Sequence, residues 1–261
     1  MTYRYLQTRR DGPVEYLTLN RPDVRNAFND EVVTELRQWA DGTALDAQVR
    51  VAVVAGAGKV FSAGADAAWM ARMAEASAAD NEADALATTA MLGAINTLPM
   101  VVIGRVHGAA LGGGSGLAAV CDIVVADDRA IFGFTETRLG ILPSMISPFV
   151  LPKIGVSAAR ELFLTGTRFD AAKALTLGLV HAVVPAAQLD AVVAAYVREA
   201  LSASPTAVAA AKALIPQVWG RQPEDVASIT ARTIALQRVS PEGQEGLRAF
   251  LAKREPSWVV K

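Results

Sequence analysis

At 261 residues and 27.4 kDa, with 52% hydrophobic and 20% charged residues, the chain is long enough for one large α/β unit or two small domains and too apolar for disorder. Lys+Arg 25 against Asp+Glu 26 leaves a formal charge of -1, which excludes a nucleic-acid binder relying on a strong positive field. A lone Cys121 excludes an internal disulfide, two histidines (His107 and His181) argue against a metal site, and no apolar leader or uninterrupted membrane-length segment is present, so a cytoplasmic protein without a membrane partner is expected.

The N-terminal stretches TYRYLQTRR and PVEYLTLN read as two strands joined at Asp11-Gly12, a pair suited to a hairpin turn. LNRPDVRNAFND is a rigid polar loop, after which EVVTELRQWA places Val32, Val33, Leu36 and Trp39 near one helical face, with Asn29 or Asp30 as cap. VRVAVVAGAG returns to strand. KVFSAGADAAW is a loop leading into an alanine-rich helical region over 67–95, broken near 77–81, and VVIGRV is the next strand.

HGAALGGGSGLAAVCDIVVAD then joins a strand to a helix through three consecutive glycines and resumes a buried strand at 121–125. AIFGF is a short strand, helices with brief interruptions fill 148–177, and LVHAVVP is a further strand. From Leu189 the pattern is helical, in four segments, three of them with proline near the start, where its missing N–H is tolerated. The division expected is an α/β core over 1–190 and a helical segment over 191–261. That segment is either an assembly element or a lid completing the chain's own core.

Two blocks, FSAGADAAWM and HGAALGGGSG, put small residues at strand-to-helix transitions, where backbone N–H groups can face an acyl oxygen. Small residues also serve close packing of elements. Neither block carries the Lys-Ser/Thr ending of a phosphate-binding loop, and GGGSG lacks the dinucleotide-binding spacing.

FSAGAD at 61–66, HGAALGGGSGLAAVCDI at 107–123 and FGFTETRLGILP at 132–143, with LNRPDVRNAF before them and EGLRAFLAKREPSW after, resemble the enoyl-CoA hydratase/isomerase, or crotonase, superfamily. The ordered combination spans almost the whole chain. The resemblance implies a ClpP-like spiral of β-β-α units whose C-terminal helices are used in trimerisation, as a homo-trimer or dimer of trimers. It implies an acyl-CoA substrate, with coenzyme A part of that substrate and no separate cofactor.

In that family the backbone N–H groups at the positions of Ala65 and Gly113 hold the thioester oxygen and stabilise the enolate. Glu136, in Phe134-Thr135-Glu136-Thr137, falls on the principal acid/base position, where it activates water for hydration or shuttles protons for isomerisation. Gly116 departs from the two-glutamate hydratases, which carry their other glutamate there; hydration of a 2-enoyl-CoA by a lyase is the leading expectation, with an enoyl-CoA isomerase or a noncatalytic acyl-CoA-binding protein as alternatives. The combination FSAGADAAWM, HGAALGGGSGL and ETRLGILPSMISPFVLPKIG is similar to the bacterial branch of methylglutaconyl-CoA hydratases and related branched-acyl enzymes, where glycine replaces that glutamate.

For the CoA channel the resemblance implies the loop 23–26, with Arg25, and residues 63–67, including Ala63, Asp66 and Ala67. Arg25 would meet a phosphate, and Asp66 would organise the loop or border the adenine pocket. Phe250 and Lys253 resemble C-terminal residues contributed to a neighbouring active site. Ala67 and Ala68 stand where the family often has lysine. Trp69, Met70 and Met73, with Met145, Ile146 and Phe149, are candidates for the acyl wall or for ordinary core packing. His107 is expected to fix local hydrogen bonding, and Cys121 to be buried and inert.

Overall fold

The structure, a computed structural model, describes residues 2–259. Strands β1 (Leu6–Asp11) and β2 (Val14–Leu19) form the antiparallel hairpin, with Asp11 opposite Val14. Helix α1 (Asp30–Leu45) is capped by Asn29, whose side chain accepts from the Val32 N–H, and it buries Val32, Val33, Leu36 and Trp39 as the spacing predicts. Strand β3 (Val51–Gly56) follows. Helices α2 (Ala67–Glu75) and α3 (Ala78–Asn96) are separated at Ala76 and Ser77, where the Ser77 hydroxyl caps α3 by accepting from the Asp80 N–H.

Next come β4 (Val101–Val106), β5 (Ala109–Leu111), α4 (Gly113–Val120), β6 (Ile123–Asp127) and β7 (Ile131–Gly133). They are followed by α5 (Ser147–Thr165), β8 (Arg168–Asp170), α6 (Ala171–Thr176) and β9 (Ala182–Val184). The chain ends in α7 (Leu189–Ser202), α8 (Pro205–Val218), α9 (Pro223–Val239) and α10 (Pro241–Leu251). Two expectations change in detail. Cys121 caps α4 and the strand starts at Ile123, while β5 and β8, three residues each, were not anticipated as separate strands.

The larger sheet has the order β1-β2-β3-β4-β6-β9 and is parallel from β2 onward; the smaller, β5-β7-β8, is mixed. Parallel strands are covered on both faces, which is why β3 reads as an unbroken apolar run. On one face Val51, Val53, Ile103 and Val125 meet Leu189, Val193 and Val197 of α7. On the other, Leu17, Val54, Val102 and Val124 pack in the main core with Leu36, Met91, Leu117 and Leu162 from the surrounding helices. Two isolated bridges, Phe28 to Ala65 and Ser62 to Ala110, tie the loops after β2 and β3 to β5. That brings three sequence-distant segments side by side at the end of the core.

The C-terminal helices bury little apolar surface within their own chain: α8 has no buried residue, and Ile215, Trp219, Leu236, Val239, Phe250 and Leu251 are exposed. Polar clamps hold this segment to the core. The Arg50 guanidinium donates to the Leu201, Ala203 and Trp258 carbonyls at 2.6, 2.8 and 2.5 Å. Lys212 donates to the Met100 carbonyl at 3.1 Å and pairs with Asp122 at 2.6 Å. Because charged hydrogen bonds contribute roughly 1.5 to 3 kcal/mol, Arg50→Ala is expected to destabilise the chain by about 2 to 3 kcal/mol, read as a lower midpoint in chemical denaturation.

Candidate active site

The loop after β2 sets the first wall. Asn26 is buried with φ 55, and its left-handed backbone is held by three hydrogen bonds of its side chain. Its amide donates to the Ala57 and Val60 carbonyls at 2.8 and 2.9 Å and its oxygen accepts from the Arg21 N–H at 3.0 Å. The Asn26 carbonyl in turn accepts from the Ser62 hydroxyl at 2.9 Å.

Along 62–66 the backbone donors are accounted for one by one. Ser62 donates to the Ala109 carbonyl, Ala63 to the Arg25 carbonyl, Gly64 to the Ser62 hydroxyl and Asp66 to the Phe28 carbonyl. In the parallel bridge Phe28 engages the residues on either side of Ala65, so the Ala65 N–H points away from it. Among the described residues it has no internal acceptor.

Gly113 is the first residue of α4, ahead of the bond from the Gly116 N–H to the Gly112 carbonyl, so its N–H lies at a helix N-terminus where the donors are not used by the helix itself. Gly112 has φ 50, and a Cβ there would lie 3.3 Å from Glu136 Oε1. Only glycine suits that turn.

Glu136 opens a 3-10 turn over Glu136–Leu139 and is held from both sides. Phe134 is buried against Phe163 and Phe169, with ring centroids 5.1 and 5.7 Å away, and the Thr137 hydroxyl donates to the Phe163 carbonyl at 2.8 Å. Glu136 Oε2 is buried and has no hydrogen-bond partner among the described residues. Burial pushes the carboxyl above the usual glutamate range, and a hydrogen bond from its own backbone N–H opposes this to a smaller degree.

A cavity of about 150 Å3 brings Ala63, Ala65, Gly113 and Glu136 together with Trp69, Met70, Met145 and Ile146. Trp69 is fixed by its indole N–H donating to Asp84 at 3.1 Å. Met73 and Phe149 pack against the core and do not line the cavity. A more open groove of about 760 Å3 is lined by Arg25, Ala63, Asp66 and Ala67, and shares Ala63 and Ala65 with the cavity.

A family model described as "Enoyl-CoA hydratase/isomerase" matches residues 9–261. This chain belongs to that family. It is similar to crotonyl-CoA hydratase of Syntrophomonas wolfei, with 31% identity over 100% of each chain. Among solved structures it is similar to an enoyl-CoA hydratase from Shewanella pealeana (38% identity, TM-score 0.94, covering 98% of this chain and 96% of that one). It is also similar to an enoyl-CoA hydratase/isomerase from Marinobacter aquaeolei, with 37% identity, a TM-score of 0.92, and coverage of 98% and 99%. The α/β core with its C-terminal helical region is the crotonase spiral.

Within this crotonase fold the remaining candidates fall into place as follows. Asp66 spends both oxygens on the loop: Oδ1 accepts from the Ala68 and Trp69 N–H groups at 2.9 and 3.2 Å, and Oδ2 pairs with Arg21 at 3.0 Å. Burial would raise its pKa, but those two N–H groups and Arg21 outweigh it and hold the carboxyl below the usual range. Phe250, 80% exposed at the end of α10, and Lys253 in the following turn line neither the cavity nor the groove of their own chain. His107 contacts the Gly58 carbonyl at 3.0 Å and stays outside the cavity. The Cys121 thiol is buried and pushed up to about 12, so it is no nucleophile at neutral pH. Among the described residues no group of three or more His, Cys, Asp or Glu is placed to hold a metal ion, and no helix is long and apolar enough to cross a membrane.

Sequence reasoning had Asn26 only as the end of the 23–26 loop expected at the CoA channel, where the groove is lined by Asp23, Val24 and Arg25 but not Asn26; it missed the anchoring role of the Asn26 side chain, and Ser62 and Thr88. Asn26 had a signal, since asparagine tolerates the left-handed backbone better than other non-glycine residues. It also missed the reason for Gly116. A Cβ at that position would lie 2.2 Å from Ile146 Cγ2 and 2.9 Å from Ile146 Cβ, so the isoleucine that opens α5 occupies the space a larger residue would need. Overpacking a filled core costs about 1 to 3 kcal/mol, so Gly116→Ala is expected to lower stability by that much, and Ile146→Ala in the same chain to recover part of it. A double-mutant cycle by chemical denaturation measures the coupling; additive losses would mean the two side chains do not compete for this space.

Proposed function

We propose that the chain hydrates a 2-enoyl-CoA thioester in the cavity between Ala65, Gly113 and Glu136. The observation that carries this reading is that Ala65 and Gly113, whose N–H groups the local structure leaves unused, line one cavity with Glu136, whose buried Oε2 has no partner among the described residues. The thioester oxygen accepts from the Ala65 and Gly113 N–H groups. Water adds its oxygen to Cβ and gives a proton to the Glu136 carboxylate. The enolate that forms draws its negative charge onto the oxygen held by the two donors, and Glu136 returns the proton to Cα. Because the donors are backbone groups fixed before reaction, they cost no reorganisation, and loss of one such donor is worth about 3 to 4 kcal/mol.

The groove beside Ala63 and Ala65 receives the CoA portion in this reading. Arg25 is exposed there and forms no ion pair among the described residues, leaving its guanidinium free for a phosphate. Asp66 acts through the loop it caps. Ala67 and Ala68 leave the groove without a lysine at that point, so the nucleotide grip depends more on Arg25. Phe250 and Lys253 serve a neighbouring copy's groove in a homo-trimer or dimer of trimers, a reading supported by the exposed apolar side chains of α8 to α10.

The methylglutaconyl-CoA hydratase branch suggests a branched or carboxylated acyl group. The cavity lining contains no lysine, arginine or histidine, while Glu136 already places a carboxyl there. A buried second carboxylate would therefore meet no counter-charge, and an uncharged, branched acyl group is favoured.

Incubation with crotonyl-CoA and 3-methylcrotonyl-CoA, read by mass spectrometry, tests the reaction: hydration appears as the gain of one water, and an unchanged mass with a moved double bond overturns it. Glu136→Gln is expected to lower kcat by about 100-fold or more, as loss of a general acid/base does. The pH profile supplies a second check. Glu136 must be ionised to take the proton, and its pKa is raised, so kcat/KM falls with decreasing pH at a point above the usual glutamate range. An acid limb in the ordinary carboxylate range would contradict the assignment.

A further inference from the structure

Thr88, on α3, lines the cavity, and its buried hydroxyl has no hydrogen-bond partner among the described residues. Thr88 is 5% exposed. A threonine in a helix ordinarily returns its hydroxyl to the carbonyl four residues back, and this chain does so repeatedly: Thr97 to Gly93 and Thr233 to Ile229, each at 2.8 Å, and Thr34 to Asp30 at 2.9 Å. Thr88 does not. A buried hydroxyl left without a partner is costly, so its retention at this position calls for a ligand atom that completes it.

Hydration places a specific demand on this cavity. A water among apolar walls needs two or more polar partners to be held in one orientation, and Glu136 supplies one. The second cannot come from position 116, because that residue is glycine and Ile146 fills the adjoining space. Among the described residues, Glu136 Oε2 and Thr88 Oγ1 are buried side-chain polar atoms without a partner on residues of this cavity lining, and no other lining residue carries one. On the hydratase reading given above, we propose that Thr88 is the second holder of the attacking water, standing in for the missing carboxylate.

The water donates one O–H to Glu136 and the other to the Thr88 hydroxyl, which leaves a lone pair of its oxygen for Cβ. The proton on the Glu136 side is the one transferred; the proton on the Thr88 side stays with the new hydroxyl group of the product. Thr88 orients without exchanging a proton, so a neutral hydroxyl suffices where a second carboxylate would have to be accommodated beside Glu136.

Thr88→Val keeps the shape and removes the hydroxyl; Thr88→Ser keeps the hydroxyl. The experiment measures kcat and KM for crotonyl-CoA hydration and, separately, exchange of the Cα protons of butyryl-CoA in D2O, which needs Glu136 and the two N–H donors but no attacking water. Thr88→Val is expected to lower hydration kcat by about tenfold or more, the loss of one hydrogen bond in the transition state, with KM changed by less than about twofold. Its exchange rate stays at the wild-type level, its melting temperature stays level or rises, and Thr88→Ser retains hydration. Unchanged hydration in Thr88→Val overturns the proposal, as does a parallel loss of hydration and exchange, a rise in KM alone, or failure of the valine variant to fold. If the wild-type protein hydrates neither crotonyl-CoA nor 3-methylcrotonyl-CoA, the hydratase reading itself falls.

Discussion

The buried side chain of Asn26 fixes the geometry on which the site depends. By bonding the Ala57 and Val60 carbonyls and the Arg21 N–H, it holds two consecutive left-handed residues, Arg25 and Asn26, in a loop that then spends its own carbonyls on Ala63 and Ser62. Every neighbouring donor in 62–66 is committed, and the N–H of Ala65, a residue of the cavity lining, is the one left without an internal acceptor among the described residues. A backbone donor becomes a usable electrostatic device when the surrounding hydrogen bonds leave it no internal alternative and no freedom to turn. The strain of non-glycine residues at positive φ is balanced by that network, at a place where position matters more than local comfort.

The second donor is supplied by a different device. Gly113 offers a helix N-terminal N–H, aimed by the Gly112 turn and by Ser115, whose hydroxyl donates to the Ala110 carbonyl at 2.6 Å inside the core. One donor is fixed by a loop network and the other by a helix start, and the Phe28 to Ala65 and Ser62 to Ala110 bridges set their separation. The parallel sheet carries β4 toward this junction, and the aromatic cluster around Phe134 anchors the turn that brings Glu136 to the same cavity. In the proposed reaction, chemistry is thus assembled from backbone and one carboxyl, consistent with a chain that is nearly neutral and rich in small residues.

Much of the fold was legible in the sequence because it rests on local patterns. The hairpin, the α1 face with its Asn29 cap, the break between α2 and α3, and the proline-started helices α8 to α10 each follow from residues within a few positions of one another. Strands β5 and β8 were not legible, since three residues carry no alternation and their pairing partners are distant in sequence. Ala65 and Gly113 had no letter of their own to announce them: an N–H donor is common to nearly every residue, and only resemblance to a family picked these two. Thr88 was invisible for the opposite reason. Its letter was plain, but whether a helical hydroxyl satisfies itself or faces a cavity is decided by how α3 packs.

The exchange of glutamate for glycine at position 116 is a change of volume as much as of charge. Ile146 lies where a side chain from that position would extend, so the two positions are coupled through one space, and neither can be read alone. Ile146 is one of the apolar residues that line the cavity with Glu136, and desolvation is the leading cause of the raised Glu136 pKa. A lone carboxyl in a dry wall holds its proton more strongly once it has taken it from water, and returns it to a carbon acid nearer its own basicity than an exposed carboxyl would be. In the proposed hydration, glycine at 116 and the isoleucine beside it leave Glu136 as the one carboxyl of the cavity lining, in apolar surroundings that keep its basicity high.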